Sequence, residues 1–420
     1  MDWLWFKEFQ KKFFITPCDK AAGTYVFTCQ VYAYRAQCME LGIDISNGNA
    51  SGNETYQPVK IPANAIVDSH KLFCQRFNQK LNNDNTVLPL LFGVPKLHKT
   101  PYKYRWIAGS RKSSMKPLSV LLHKILKKFQ SHLQKYCETI FNRTGKRCYW
   151  AVENSMEILR KLNGVTINAN DTLLCADFTT LFTKLPHHDV KKKLYALCDL
   201  CFNNSAKSHI IIGRRNVFYT NTPCNSGITA LCRSEVKELI SMVIDQTYVS
   251  FAGLQFRQVN GIPAGSSASP LLCICTLAMY EMEYTLKHDG PLPFQVYRYI
   301  DDNLVIPDRG FMSEAKKCYG EALQLEVAGS GQSVDFLDMT VSTKNGKITT
   351  TLYQKNLVFP FQLNRYSYPE SNISKALQRN IITSQLIRFS RLCTEYTAFK
   401  FHCQALIRTS TSWLQSYISV

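Results

Sequence analysis

Residues 296 to 306 read VYRYIDDNLVI, in which Val296, Arg298 and Ile300 alternate with Tyr297 and Tyr299 before Leu304, Val305 and Ile306 resume an apolar run. A period of two predicts a pair of strands, and the polar centre between them predicts a hairpin with Asp301 and Asp302 at its tip. Earlier, LPLLFGVPKLHKTPYKYRWIAGS from Leu88 gives two strand-like runs around a basic, proline-containing turn. Leu122, Ile125, Leu126, Phe129 and Leu133 then follow helical spacing, with Lys124, Lys127, Lys128 and Lys135 largely on another face. Residues 171 to 182, DTLLCADFTTLF, begin as an apolar strand and reach a lone acid, Asp177; a helix is expected from PHHDVKKKLYALC. The stretch EVKELISMVIDQTYVSFAGLQFRQ predicts a helix followed by strands around a glycine turn. A Gly- and Ser-rich loop then precedes a long apolar helix in VNGIPAGSSASPLLCICTLAMYEMEYTL. After Ile306 a helical pattern extends to about Leu325, followed by strands in VDFLDMTVS and KITTTLYQK. From about Ser374 the chain reads as helix, with Arg388 and Arg391 three apart on one face. DISNGNASGNETYQP, residues 44 to 58, reads as a flexible insert that separates an N-terminal piece from the remainder.

Composition narrows the class. At 420 residues, 45% hydrophobic and 12% aromatic, the chain can form two or three packed subdomains. Lysine and arginine total 50 against 31 acids, a formal charge of +19 spread along the whole length. A polyanionic partner follows, nucleic acid ahead of an anionic membrane, because no amphipathic anchor, lipidation signal or bilayer-length apolar run accompanies the charge. The start MDWLWFKEFQKKFF has no signal-peptide core, so the 16 cysteines are expected to be reduced. Cys273 and Cys275 sit in an apolar run as small hydrophobes, and Cys198 and Cys201, with Cys224 and Cys232 downstream, lack zinc-ribbon spacing. The lysines on the helix around Leu126 are open to two readings, a solvated face or a phosphate contact.

Burying an unpaired carboxylate is so unfavourable that it protonates, pairs with a cation or binds a metal. Asp301 and Asp302 alone would also suit an ordinary turn, and Gly261 and Gly265 alone a tight loop. Taken in order, an acid ending a strand, a Gly-Ser loop opening a helix and a two-acid hairpin point to convergence on divalent cations. Hard oxygen ligands favour magnesium. Two such ions, with upstream basic strands to hold a triphosphate, imply nucleotidyl transfer.

This ordered set resembles the reverse transcriptases, and within them the Penelope-like retroelement branch, related to telomerase reverse transcriptase. DFTTLF resembles polymerase motif A, QVNGIPAGSSASP motif B and YIDD motif C. FGVPKLHK and YRWI resemble the two fingers motifs that hold the incoming nucleotide. CDKAAG resembles the branch's N-terminal Asp-Lys-Gly signature, FLDMTV with LYQK its region after motif C, and LIRFSRLC the start of its thumb. The sequence departs from the family at Trp106, where proline is usual, at Pro263 and Ala264, where a bulkier residue is common, and in the alanines before Gly23.

The resemblance implies an α+β, right-hand polymerase: residues 1–87 as N-terminal extension and first part of the fingers, 88–170 as fingers, 171–360 as palm with an antiparallel sheet, and 361–420 as a short helical thumb. Asp177 and Asp301 would be the principal ligands of two Mg2+ ions, with Mn2+ as a substitute and Asp302 in support. Lys96 and Arg105 would bind the triphosphate, and Phe182 would sit at the steric gate that selects deoxynucleotides. Gln258, Gly261 and Gly265 would shape the floor beneath nucleotide and template, Tyr299 would lie near the primer end, and Arg388 and Arg391 would grip the duplex backbone. The implied partners are an RNA template, a DNA primer, their duplex and dNTPs. No lysine is placed as donor to the departing pyrophosphate; Lys316 and Lys317 are near in sequence, and a helix face explains them equally. No GIY-YIG endonuclease precedes Val420, so strand nicking would need a separate endonuclease, a free chromosome end or a loss of mobility; a nuclear setting is expected, ahead of an organelle. Two other readings compete: a maturase-like RNA-binding protein with a retained polymerase fold, and a telomerase-like enzyme, for which the N-terminal region is short.

Overall fold

The computed structural model describes residues 3–81, 86–179, 181–222, 229–354, 359 and 372–415. At its centre is a four-stranded antiparallel sheet in the order Gln295–Tyr299, Asp302–Ile306, Leu173–Phe178, Leu325–Gly331. The alternation read from the sequence sorts its side chains onto two cores. Leu174, Ala176, Phe178, Val296 and Val305 join the core made with the helices Lys116–Thr144, His187–Ser205, Arg233–Asp245 and Ser269–Lys287. Leu173, Cys175, Tyr297, Leu304 and Ile306 face the other way, against Ile158, Leu162, Val334, Phe336, Met339 and Val341. Both faces are covered, so the strands are near-continuous apolar runs, and truncating fully buried Leu304 to Ala would cost about 2–5 kcal/mol.

The long helix Lys116–Thr144 buries Leu122, Ile125, Leu126, Phe129 and Leu133 as their spacing requires. Three of its lysines have partners within the chain, Lys127 pairing with Glu153 at 2.6 Å, Lys124 donating to Gly213 O at 3.4 Å and Lys128 lying over the Tyr219 ring, while Lys135 is exposed. Cys198 and Cys201 are buried in the helix His187–Ser205 beneath it, and Cys273 and Cys275 are fully buried in Ser269–Lys287. No disulfide joins any cysteine among the described residues. No described helix is long and apolar enough to cross a membrane.

Two hairpins pack against one another upstream of the central sheet in sequence. The predicted basic hairpin pairs Leu91–Lys96 with Lys103–Ala108. An N-terminal hairpin, Phe13–Cys18 with Ala21–Cys29, which the sequence reading did not resolve, docks on it through Asp19 N to Pro95 O at 3.1 Å. Farther along, the sheet Ser333–Phe336, Met339–Lys344, Lys347–Leu352 supports the helices Lys375–Leu392 and Tyr396–Gln415 through Leu352, Phe389, Leu392 and Leu406. Ser374 caps the first of these helices, its side chain accepting from Leu377 N. Lys355, the last residue of the LYQK match, and Thr180 in DFTTLF lie outside the described residues.

Two expectations are corrected. Residues 44–58 are not a spacer: Asx turns at Asp44, Asn47 and Asn53 fold the segment locally, and Tyr56–Val59 pairs with Leu254–Gln258 as a sheet strand. Its Asn and Gly content reflects those turns. The helix after Ile306 runs only from Phe311 to Tyr319, ended by Gly320 at φ +75°, and Leu325 begins the strand Leu325–Gly331 beside Asp177. The glycine stop outweighs the apolar spacing that continued past it.

Candidate active site

Asp177 is the penultimate residue of its strand and lies directly opposite Asp302 in the ladder; Phe178 N donates to Asp301 O at 3.2 Å. Strand register thus brings the three acids to one end of the sheet. Ile300, before Asp301, sits at φ +54°, a left-handed conformation that a β-branched residue adopts only under constraint. The constraint is a buried network absent from the sequence reading. Arg298, fully buried, donates through Nη1 to Ile300 O at 3.0 Å and pairs with fully buried Glu281. Tyr319 donates to the same carboxylate at 2.9 Å. An acid on the buried face of an apolar helix, Glu281, was the signal that could have pointed to it.

The acids are electrostatically unsatisfied. Burial, then Asp301 and Asp302, pushes Asp177 up from 3.8 to about 7, and its Oδ1 is buried without a hydrogen-bond partner. Burial and the neighbouring Asp302 likewise raise Asp301, while Arg105 and Lys20 pull it down. Carboxylates raised by desolvation and by each other bind added positive charge favourably. Among the described residues no three His, Cys, Asp or Glu side chains are already gathered into a metal-holding group. The orphaned oxygen and the all-oxygen donor set fit magnesium ions.

Opposite this edge stands the basic hairpin. Arg105 Nε lies 3.3 Å from Asp19 Oδ1, and the Arg105 charge is felt at Asp301. Burial and the Arg105 charge lower the Lys96 ammonium, with Lys20 and Lys99 adding to the effect. On the other face of the same strand, Trp106 stacks on Tyr104 with centroids 5.2 Å apart and hydrogen-bonds Glu40, whose carboxyl burial lifts to about 7. That partnership ties Trp106 to Glu40 on the face of the hairpin away from Arg105.

The glycines of the motif B segment join its neighbours. A Cβ on Gly261, at φ +77°, would stand 2.4 Å from Phe182 O, and one on Gly265, at φ +112°, 2.4 Å from Ala108 O. Ile262 N bonds Phe182 O at 2.8 Å, Ala108 N bonds Ala264 O at 2.8 Å, and His187 Nε2 donates to Gly261 O at 2.7 Å. The loop therefore straps the segment after Asp177 to the basic hairpin. Phe182 is half-buried against the helical core. Tyr299, half-buried, pairs with Asp302 across the hairpin.

Three sequence expectations meet different surroundings. Gln258 is 2% exposed and donates to Asn260 O at 3.0 Å, so it supports the loop from beneath. Arg388 donates from Nε and Nη2 to Asp338 Oδ2 at 3.1 and 2.9 Å, anchoring its helix to the sheet below, whereas Arg391 is exposed. Lys316 and Lys317 pair with Glu321 and Glu314, the helix-face reading of both.

No protein-family model matches the sequence, and a search of curated proteins found no match. Solved structures do match. Telomerase from Candida albicans, in complex with the TWJ fragment of telomeric RNA, aligns over 92% of this chain and 60% of its own, at TM-score 0.56 and 14% identity. Apo telomerase from Candida tropicalis aligns over 98% of this chain and 67% of its own, at TM-score 0.53 and 10% identity. Its complex with the TWJ fragment covers 98% and 61%, at 0.50 and 10%. The chain spans between 60% and 67% of the length of these telomerases. At such identities the likeness is one of fold: this chain has the α+β right-hand architecture of reverse-transcriptase-like polymerases.

Proposed function

We propose that the chain is an RNA-directed DNA polymerase, a reverse transcriptase of the Penelope-like kind, which adds deoxynucleotides to a primer 3′-OH on an RNA template. The observation that carries this reading is the register setting Asp177 against Asp302, with Asp301 beside them, within electrostatic reach of Arg105 on the basic hairpin. A telomerase of the same fold was solved with a telomeric RNA fragment, which supports RNA as a partner.

In this reading residues 88–170 are fingers, 171–360 palm and 361–420 thumb, with residues 1–87 contributing the N-terminal extension and the first part of the fingers. Asp177 and Asp301, with Asp302 beside them, would hold two Mg2+ ions, or Mn2+ in their place, which when bound supply Lewis-acid stabilisation of the phosphate under attack. Lys96 and Arg105 draw the triphosphate against the acidic edge and offset its charge. The Phe182 ring excludes a sugar 2′-hydroxyl. Gly261 and Gly265 hold the loop close enough to form the floor, Gln258 buttresses it, and Tyr299 contacts the primer end. Arg391 binds duplex phosphates; Arg388 keeps the thumb helix on the palm. The compartment in this reading is the nucleus or an organelle.

The test is extension of a DNA primer on an RNA template with dNTPs and Mg2+ or Mn2+, beside Asp301→Ala. DNA product that vanishes in the variant supports the reading. Salt-sensitive RNA binding without product under either metal favours a maturase-like binding protein, and undiminished product in the variant refutes the metal assignment.

A further inference from the structure

The N-terminal hairpin makes its turn at Asp19 and Lys20, beside the Pro95 and Lys96 end of the basic hairpin. Asp19 is 8% exposed, although it is a carboxylate in a tight turn. Its amide donates to Pro95 O at 3.1 Å, and its Oδ1 lies 3.3 Å from Arg105 Nε. Its other oxygen, Oδ2, is buried and unpartnered. The flanking Cys18 and Ala21 are buried with Phe359, against Val26 and Leu97, so the turn is fixed on the strand end that carries Lys96. Lys20 is exposed and sits at φ +62°, where glycine or asparagine is usual and lysine is not. The turn is thus polar, left-handed at Lys20 and held in place by a hydrophobic anchor.

It presents charge. Lys20, Lys99, Arg105 and Asp19 all act on Lys96, so four cations and one acid share this corner. The Lys20 charge also reaches Asp177 and Asp301. Like charges crowded on one side of a cleft repel one another unless a polyanion is bound there.

We propose that the Asp19–Lys20 turn is a wall of the triphosphate site: Lys20 contacts the β- and γ-phosphates of the incoming nucleotide, and Asp19 is a positioning residue that aims the Arg105 guanidinium at them. The inference rests on the polymerase reading of the same cleft and assigns it a recognition element outside the fingers hairpin. Losing one charge-assisted phosphate contact weakens binding about ten- to a hundredfold. Lys20→Gln is therefore expected to raise KM for dNTP, and the inhibition constant of pyrophosphate, by that factor, with template-primer affinity unchanged. Lys20→Arg restores most of the loss. Asp19→Asn raises KM with a smaller change in kcat, and a melting temperature matching the parent's separates aiming from folding. If the parent enzyme extends primers while Lys20→Gln keeps parental KM and pyrophosphate inhibition, the inference fails and the polymerase reading stands. If the parent extends nothing, the polymerase reading fails. Calorimetric titration of inorganic tripolyphosphate into parent and Lys20→Gln protein then still decides the wall, because equal affinities overturn it.

Discussion

Replacing Asp177 with Asn removes a charge that the fold holds at a disadvantage, so the metal-free variant should be more stable than the parent at high pH and equal to it at low pH. The sign follows from the proton count. Between about pH 4 and 7 the folded protein keeps a proton on Asp177 that the unfolded chain has released, because the folded group is raised from 3.8 to about 7. Folding stability from this group is fully present below the unfolded value and is lost as pH rises through the folded one. The rise of about three pH units is worth at most ~4 kcal/mol at 1.36 kcal/mol per unit, and partial solvent access brings it to about half, ~2 kcal/mol. With an unfolding entropy of ~2.1 cal/mol/K per residue over 420 residues, that is a melting shift of about 2 °C. The measurement is the variant-minus-parent difference in melting temperature from pH 4 to 8 in EDTA. Taking the difference matters, since buried His70, lowered to about 4, makes both proteins gain stability over part of the same range. The difference should start near zero, grow through pH 6 and level off above pH 7. Millimolar Mg2+ at pH 8 should then stabilise the parent and leave the variant unmoved, since binding to the folded state alone raises stability by mass action. A difference that is flat with pH, or a parent that gains on the variant as pH rises, would mean that Asp177 already has a cationic partner and would remove the argument for a metal.

Phe182→Ala should let ribonucleotides be incorporated alongside deoxynucleotides; primer extension with each set reads the ratio, and unchanged sugar discrimination would refute the gate. Arg298→Met should cost about 3–5 kcal/mol by stranding the Glu281 carboxylate in the core, whereas Arg298→Met with Glu281→Leu should recover most of that loss in a melt. If the network also holds the Ile300 turn, the recovered double variant will still extend primers slowly, and full activity there would reduce the pair to a matter of folding.

The sequence carried the site better than its supports, and the reason lies in the range of the interactions. The hairpin of Asp301 and Asp302 could be read because period-two burial is written in neighbouring residues, and the end of the strand at Asp177 for the same reason. The pairing of Asp302 with Asp177 was left to the fold, since register between strands 125 residues apart depends on the helices that fill both faces of the sheet. Arg298 and Glu281 escaped because each looks local: an arginine in a strand pattern and a glutamate in an apolar helix are unremarkable until both prove fully buried. The strand Leu325–Gly331 escaped because its apolar residues continue the helical spacing before Gly320, and only the open edge beside Asp177 gives that segment a strand partner. Arg388 and Arg391 show the limit of local spacing: both lie on the same helix three residues apart, but Asp338 pairs with Arg388 alone while Arg391 is exposed. Local patterns thus find elements and the candidate acids, while buried charge networks and edge strands are fixed by partners far away in sequence. In this chain those partners, Glu281, Asp338 and Asp19, are acids, and in a protein of net charge +19 a buried or half-buried acid is the place to look for what the basic residues are holding.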